Sequence, residues 1–424
     1  MAPAPPPSLS TLTNKVILYY DYYMITTNRC FLLFVASLAV STAGFSEENR
    51  KDFHQVDQNE GPPERASNTG SEVERIHARA PLWAHGPNST TPMVTPGPGG
   101  YKPAQIRHAY GFDKITSNGA GQTIAIIDAY GSPSLANDLK VFSTTFGLPQ
   151  ATLAIYYPQG RPAINSGWAL ETSLDVQWAH AIAPGARIVV VVAKTASMSN
   201  LLGAVDYAVN TLGAKQVSMS WGSPEFASEA LYDSHFNKPG VSFFAASGDS
   251  GAGVIWPAAS PYVVAVGGTT LHLDALGTPL NETGWSGSGG GISKYYKQPA
   301  WQSGFSTSAD RTIPDVSYDA DPSTGFPVYI SGYNHSTGWI QVGGTSAGAP
   351  QWAAQQALIN ASRTISSSGV NAKLYSTATL SYADFFDIIS GSNGTYFCGP
   401  NYDLVTGLGS PNAPALVPAM ATGK

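Results

Sequence analysis

Two runs rich in β-branched residues do most to limit the folds open to this chain. Thr123-Ile124-Ala125-Ile126-Ile127-Asp128 and Ile188-Val189-Val190-Val191-Val192-Ala193 are apolar almost without a break. A strand apolar on both faces needs cover on both faces, the mark of a parallel sheet set between helices. Elsewhere the period changes. Ser134 to Phe146 puts Leu135, Leu139, Phe142 and Phe146 at helical spacing and stops at Gly147. Glu171 to Ala183 reads as a second helix, closed by Pro184-Gly185, and Leu201 to Leu212 as a third. Strand signals return at Val217 to Ser220, Val241 to Ala246 and Tyr262 to Val266, and a glycine loop opens a helix from Ala347 to Ile359. Strands alternating with helices imply βαβ crossovers. The expected fold class is therefore α/β, a mainly parallel sheet flanked by helices in three layers, with any site at the carboxyl ends of the strands. No internal repeat interrupts the pattern.

Composition narrows the function. The 424 residues allow one large domain or two ordinary ones at about 100–200 residues each. A net charge of −6 and a sequence pI of about 5.7 give no basic footprint for nucleic acid. Only 12% of residues are charged, which suits a protein working in acid and also fits many exported proteins. Of the two cysteines, Cys30 lies in an apolar run, CFLLFVASLAVSTA, preceded by Arg29 and ending in small residues. That run is too short to span a bilayer and fits a signal peptide over residues 1–43, cleaved after Ala43, with Met24 a more ordinary start. A secreted, extracellular protein is expected, with no stable membrane span and with Cys398 as its remaining thiol. Residues 44–98 are polar, rich in Pro, Gly, Asn and Glu, and read as a disordered linker or short pro-segment, leaving residues 99–424 as the main domain.

Four places could carry chemistry. In Gly343-Gly344-Thr345-Ser346-Ala347-Gly348, a serine stands at the mouth of a helix, where free N–H groups favour a developing negative charge; an ordinary helix cap fits the same letters. A serine nucleophile needs a base, and none of the eight histidines sits in a His-Gly-Thr-His context. Glu171 and Asp175 instead share one helix face at i,i+4, where two carboxyls in contact could hold one proton between them; two solvated surface acids fit equally. Ala245-Ala246-Ser247-Gly248-Asp249 ends a strand in a small-residue turn, where a protonated Asp249 could donate to an oxyanion or simply build an Asx turn. Asp387-Ile388 and Cys398-Gly399-Pro400-Asn401-Tyr402-Asp403 offer the oxygen donors that Ca²⁺ prefers, though not at EF-hand spacing.

Taken in order, these segments resemble the sedolisin family, the serine-carboxyl peptidases, acid-acting relatives of subtilisin. The resemblance runs from about Tyr101 to the C-terminus and extends to Tyr110-Gly111-Phe112, Ser218-Met219-Ser220-Trp221-Gly222, Gly289-Gly290-Gly291, Pro314-Asp315-Val316-Ser317 and Asp321-Pro322. It implies a subtilisin-like fold and hydrolysis of peptide bonds. Ser346 would be the nucleophile, Glu171 the general base, Asp175 its proton-sharing partner and Asp249 the oxyanion acid. Calcium would be held by the side chains of Asp387 and Asp403 and the carbonyls of Ile388, Gly399 and Asn401. Asp128 and Trp221 would support the carboxylate pair. The implied partners are peptides or unfolded proteins, met by a monomer. Free carboxyls titrate near ~4, which sets an expected optimum between roughly pH 3 and 5. The chain departs from the family in three ways: only about 55 polar residues stand where a long folded pro-domain is usual, Gly343 replaces a serine, and Asn401 stands where glycine is common, a position Asn tolerates. Two other readings fit the letters: a non-catalytic binding protein of the same fold, and an enzyme using Asp128 with His180. The apolar flanks of His180 argue for a core position instead.

Overall fold

The computed structural model describes residues 53–56, 76–85, 94–363 and 369–422; the expected signal peptide lies outside them. Strands β1 (Phe53–Gln55) and β2 (Trp83–His85) come first, then helix α1 (Pro103–Ala109). The alternating part follows: β3 (Thr123–Ala129), α2 (Leu135–Phe146), β4 (Thr152–Tyr156), α3 (Ser166–Ile182), β5 (Arg187–Ala193), α4 (Met198–Asp206), β6 (Gln216–Met219), β7 (Ser242–Ala246) and β8 (Val263–Leu273). Next come β9 (Pro279–Gly284), β10 (Gly291–Lys297), β11 (Asp310–Ile313), β12 (Val316–Asp319), β13 (Phe326–Tyr333) and β14 (Ser336–Gly343). Helices α5 (Gly348–Ala361), α6 (Val370–Leu380) and α7 (Ala413–Ala421) complete the fold.

The main sheet runs β9-β8-β7-β6-β3-β5-β4, with β12 also on β8. Every pairing from β4 to β8 is parallel, as is β8 with β12, and only β9 joins antiparallel. Alternate residues of β3 serve two cores. Ile124 and Ile126 pack with α2, α3 and α5, whereas Ala125 and Ile127 pack with α4. That is the three-layer arrangement the unbroken apolar runs require. β3 is flanked by β5 and β6, so the chain order reverses around it. The loops after β3, β5, β6 and β7 therefore open at one end of the sheet.

α3 and α5 are unusual for globular helices, since every residue from Gly167 to Ile182 and from Gly348 to Ile359 is buried. Burial all round is what a helix in the middle of a large core shows. Asn165 caps α3, its side-chain oxygen accepting the Trp168 N–H at 3.0 Å. α2 stops as expected at Gly147, whose φ of 66° is left-handed.

The structure corrects the linker expected over 44–98. Within that stretch β1 pairs with β2, and β2 pairs antiparallel with β14, in a second sheet ordered β1-β2-β14-β13. Leu82 and Ala84 are fully buried. The apolar Pro81-Leu82-Trp83-Ala84 stretch is short, and its partner lies more than 250 residues away (Ala84 opposite Val342), so nothing local announces the strand.

Candidate active site

Strand ends and helix starts bring the candidate groups together. Asp128 ends the apolar run of β3, Ser220 follows β6, and Asp249 sits in the turn after β7. Glu171 and Asp175 lie on successive turns of α3. β14 ends at Gly343, Gly344 turns with φ of 114°, and Thr345–Ala347 form a single 3₁₀ turn that leads into α5. An added Cβ on Gly344 would run into Asp249 Oδ2, so only glycine fits there.

All four predicted catalytic residues are buried, as is Asp128. Ser220 is the hub: its hydroxyl donates to Asp175 Oδ1 at 2.9 Å and also lies 3.2 Å from the Ser346 carbonyl oxygen, tying α3 to the Thr345–Ala347 turn. Asp249 Oδ1 accepts from both the Thr345 N–H and the Thr345 hydroxyl at 2.8 Å. The remaining oxygens have no hydrogen bond of normal geometry. They are Ser346 Oγ, both carboxyl oxygens of Glu171 and of Asp128, Asp175 Oδ2 and Asp249 Oδ2. Among the described residues no ion pair reaches any of these acids.

Burial without a cation favours the protonated form. Burial raises Glu171 well above the usual carboxyl range, and Asp175 and Asp128 push it further, while the Ser346 hydroxyl draws it partly back. Asp175 is raised by burial and by Asp128, and lowered by Ser220 and Glu171. Burial lifts Asp128 to about 7 against the Thr172 hydroxyl, and Asp249 to about 7 against its two bonds from Thr345. Such a cluster cannot ionise together.

The Trp221 indole N–H donates to the Ile127 carbonyl at 2.7 Å and braces β3 beside Asp128. Ser220 was within a matching stretch but carried no role, since a serine at a strand end has no local signature. His180 is core: one ring nitrogen is 2.8 Å from the Pro149 carbonyl, and burial lowers its pKa.

The remaining candidates gather in a separate loop. Asp387 Oδ2 accepts the Asn401 N–H at 3.0 Å. Asp403 Oδ1 accepts from Val405 and Thr406, and Oδ2 from the Thr406 hydroxyl and the Gly399 N–H. Asn401 takes φ of 65°, the left-handed conformation it tolerates. Burial raises the pKa of Tyr382 and of Cys398, and both carboxylates push them further.

Residues 147–391 match the Subtilase family, Peptidase_S8. Kumamolisin of Bacillus sp. (strain MN-32) is 34% identical over 367 residues, 76% of this chain and 64% of its own length. Sedolisin of Pseudomonas sp. (strain 101) is 29% identical over 383 residues, 80% of this chain and again 64% of its own. This chain thus spans a little under two thirds of these relatives. The solved Pseudomonas sedolisin, a serine-carboxyl proteinase complexed with two molecules of pseudo-iodotyrostatin, superposes with a TM-score of 0.68 at 28% identity, covering 76% of this chain and 98% of that one. With its parallel sheet and the family match over more than half its length, the chain belongs to the subtilase family, in its sedolisin group.

Proposed function

We propose that this protein is a secreted serine-carboxyl peptidase that hydrolyses peptide bonds of peptides and unfolded proteins in acid. The observation that carries the reading is the buried cluster itself: a Ser346 hydroxyl near enough to Glu171 to lower its pKa, in a group of carboxyls that no ion pair reaches among the described residues, with a free Asp249 oxygen next to the Thr345–Ala347 turn. Unsatisfied buried oxygens cost stability, on the order of 1–3 kcal/mol each, and are retained where chemistry needs them.

In this reading Ser346 Oγ attacks the scissile carbonyl while Glu171 takes its proton. Asp175, oriented by Ser220, shares the resulting charge state. The oxyanion is met by a protonated Asp249 and by the Ser346 N–H at the start of the turn. Glu171 then protonates the leaving amine, and water repeats the cycle on the ester. Activity needs one ionised carboxyl in the pair and a neutral Asp249. Rate therefore falls as pH rises through about 7, where Asp249 ionises, and falls on the acid side as the pair, whose carboxyls burial raises above the usual range, becomes fully protonated.

Calcium fits the Asp387–Asp403 loop. Asp387 and Asp403 both act on Cys398 and make no ion pair among the described residues, and the carbonyls of Ile388, Gly399 and Asn401 accept no hydrogen bond there. Bound there, the ion would cross-link two loops and neutralise the acids. Chelation should lower the melting temperature, and Asp387→Ala should abolish that sensitivity; calorimetry with and without chelator checks both.

The catalytic assignment is tested with a denatured protein substrate at pH 4. Ser346→Ala should lose activity by a factor on the order of 10⁵ or more, and Glu171→Gln should be comparably impaired. Undiminished hydrolysis by either variant sinks the assignment.

A further inference from the structure

Asp249 stands on a turn that is laced to a second loop. The turn follows β7 and runs from Ser247 to Gly253; the loop joins β9 to β10 and reads Trp285-Ser286-Gly287-Ser288-Gly289-Gly290. The Ser247 hydroxyl donates to the Gly289 carbonyl at 2.7 Å, and the Gly289 N–H donates back to the Gly248 carbonyl at 2.7 Å. Farther along, the N–H groups of Gly251 and Gly253 donate to the carbonyls of Gly287 and Gly290, each at 2.9 Å. The two backbones approach closely. A Cβ on Gly289 would strike the Ser247 carbonyl oxygen, and one on Gly290 the Leu404 carbonyl oxygen, so both positions need glycine.

A loop so rich in glycine has many conformations open to it, and its fit to the Asp249 turn requires one of them. The Trp285 ring lies against Gly287. Ser288 is fully buried; its hydroxyl donates to the Val405 carbonyl at 2.7 Å and accepts the Gly268 N–H at 2.8 Å. Both of those anchors are themselves fixed. Val405 donates its N–H to Asp403 Oδ1 at 2.8 Å, and Gly268 lies in β8, where it pairs with Tyr318 of β12. Ser288 therefore pins the loop to the fold one residue before Gly289, which grips the Asp249 turn.

We propose that Ser288 is a positioning residue for Asp249: by fixing Gly289 it holds the Ser247–Asp249 turn where the second Asp249 oxygen stays buried and ready to donate. This rests on the reading of Asp249 as the oxyanion acid, and adds to it a residue that acts through the backbone of another loop. Asp249 keeps its proton because it is buried. A loosened loop would admit water to that carboxyl, and better solvation favours the ionised form. Asp249 would then ionise at a lower pH, and the fall in rate with rising pH would begin earlier. Glu171 of α3 is the titratable group that feels the charge of Asp249. Thr345 meets the carboxyl with its N–H and hydroxyl, and the glycine loop meets the turn with backbone groups.

The test compares Ser288→Ala, Asp249→Ala and the double variant, each in the full chain and shown to be folded, on a denatured protein substrate from about pH 3 to 9. Ser288→Ala should lower kcat at least tenfold while KM changes less than about threefold, the pattern of an interaction realised in the transition state. Its alkaline limb should move at least about half a pH unit toward acid. In the Asp249→Ala background the same substitution should change kcat less than about threefold, since its effect passes through Asp249. A residue that only stabilised the fold would lower the melting temperature and leave the limb where it was. Should Ser288→Ala not fold, Ser247→Ala, which removes the 2.7 Å bond from the turn to the loop, is read by the same three criteria. A wild-type kcat and limb in the Ser288 variant, or a loss undiminished in the Asp249→Ala background, overturns the proposal. Full activity of Asp249→Ala alone ends instead the oxyanion reading on which it rests.

Discussion

Asp249 shows how one carboxyl can be held ready to donate. One oxygen is committed to Thr345, twice over, and the other is buried and bare. An asparagine can copy this arrangement, its carbonyl toward Thr345 and its NH₂ toward the oxyanion, without titrating. Asp249→Asn should therefore keep a measurable fraction of activity and lose the decline near pH 7, whereas Asp249→Ala should cost roughly 10²–10³ in kcat; pH–rate profiles of both variants check this. At this scale the sequence carried local signals at each of these positions. Ser346 and Asp249 sit in small-residue turns, and Glu171 and Asp175 have a helical spacing. It was silent about burial: two surface acids and two buried ones look alike in the letters, and only the all-round burial of α3 separates them. Ser220→Ala would leave Asp175 Oδ1 buried and unpaired, a loss of roughly 1–3 kcal/mol, visible as a lower melting temperature.

Elements position these groups by ending where they do. β3, β5 and α2 were legible because period and composition agree with their places, down to the left-handed stop at Gly147. β1 and β2 were not, because three-residue strands draw their stability from partners remote in sequence rather than from their own pattern. The turn from β14 to α5 is the element on which the site depends most. Gly344→Ala would force a side chain into φ of 114° and against Asp249 and Pro81. Strain of roughly 1–3 kcal/mol is expected, with kcat reduced more than substrate affinity; steady-state kinetics on a folded variant decide it.

Among the described residues, acids are buried with few countercharges. Burial raises Asp128 and Asp249 to about 7 and Glu229 to about 8, and lifts Glu282 and Asp319 as well. Arg311 with Asp315 is the one fully buried ion pair among the described residues. Because these folded-state values lie above those of the unfolded chain, near ~4, folding takes up protons in the interval between. Their contribution is full below about pH 4 and is lost as pH rises through the folded values. The melting temperature should fall from pH 4 to pH 8, and Asp128→Asn should flatten the slope; scanning calorimetry across that range measures it. A low overall charge was legible in composition, but which acids lie inside follows from the three-layer packing.

The most direct measurement is the rate of peptide hydrolysis from pH 2.5 to 9 for the wild-type chain beside Ser346→Ala. The carboxylate mechanism predicts activity confined to the acid side, falling through about pH 7 and absent from the variant. A rate that climbs through pH 7 toward 9, as a histidine base would give, or that survives in Ser346→Ala, would contradict it.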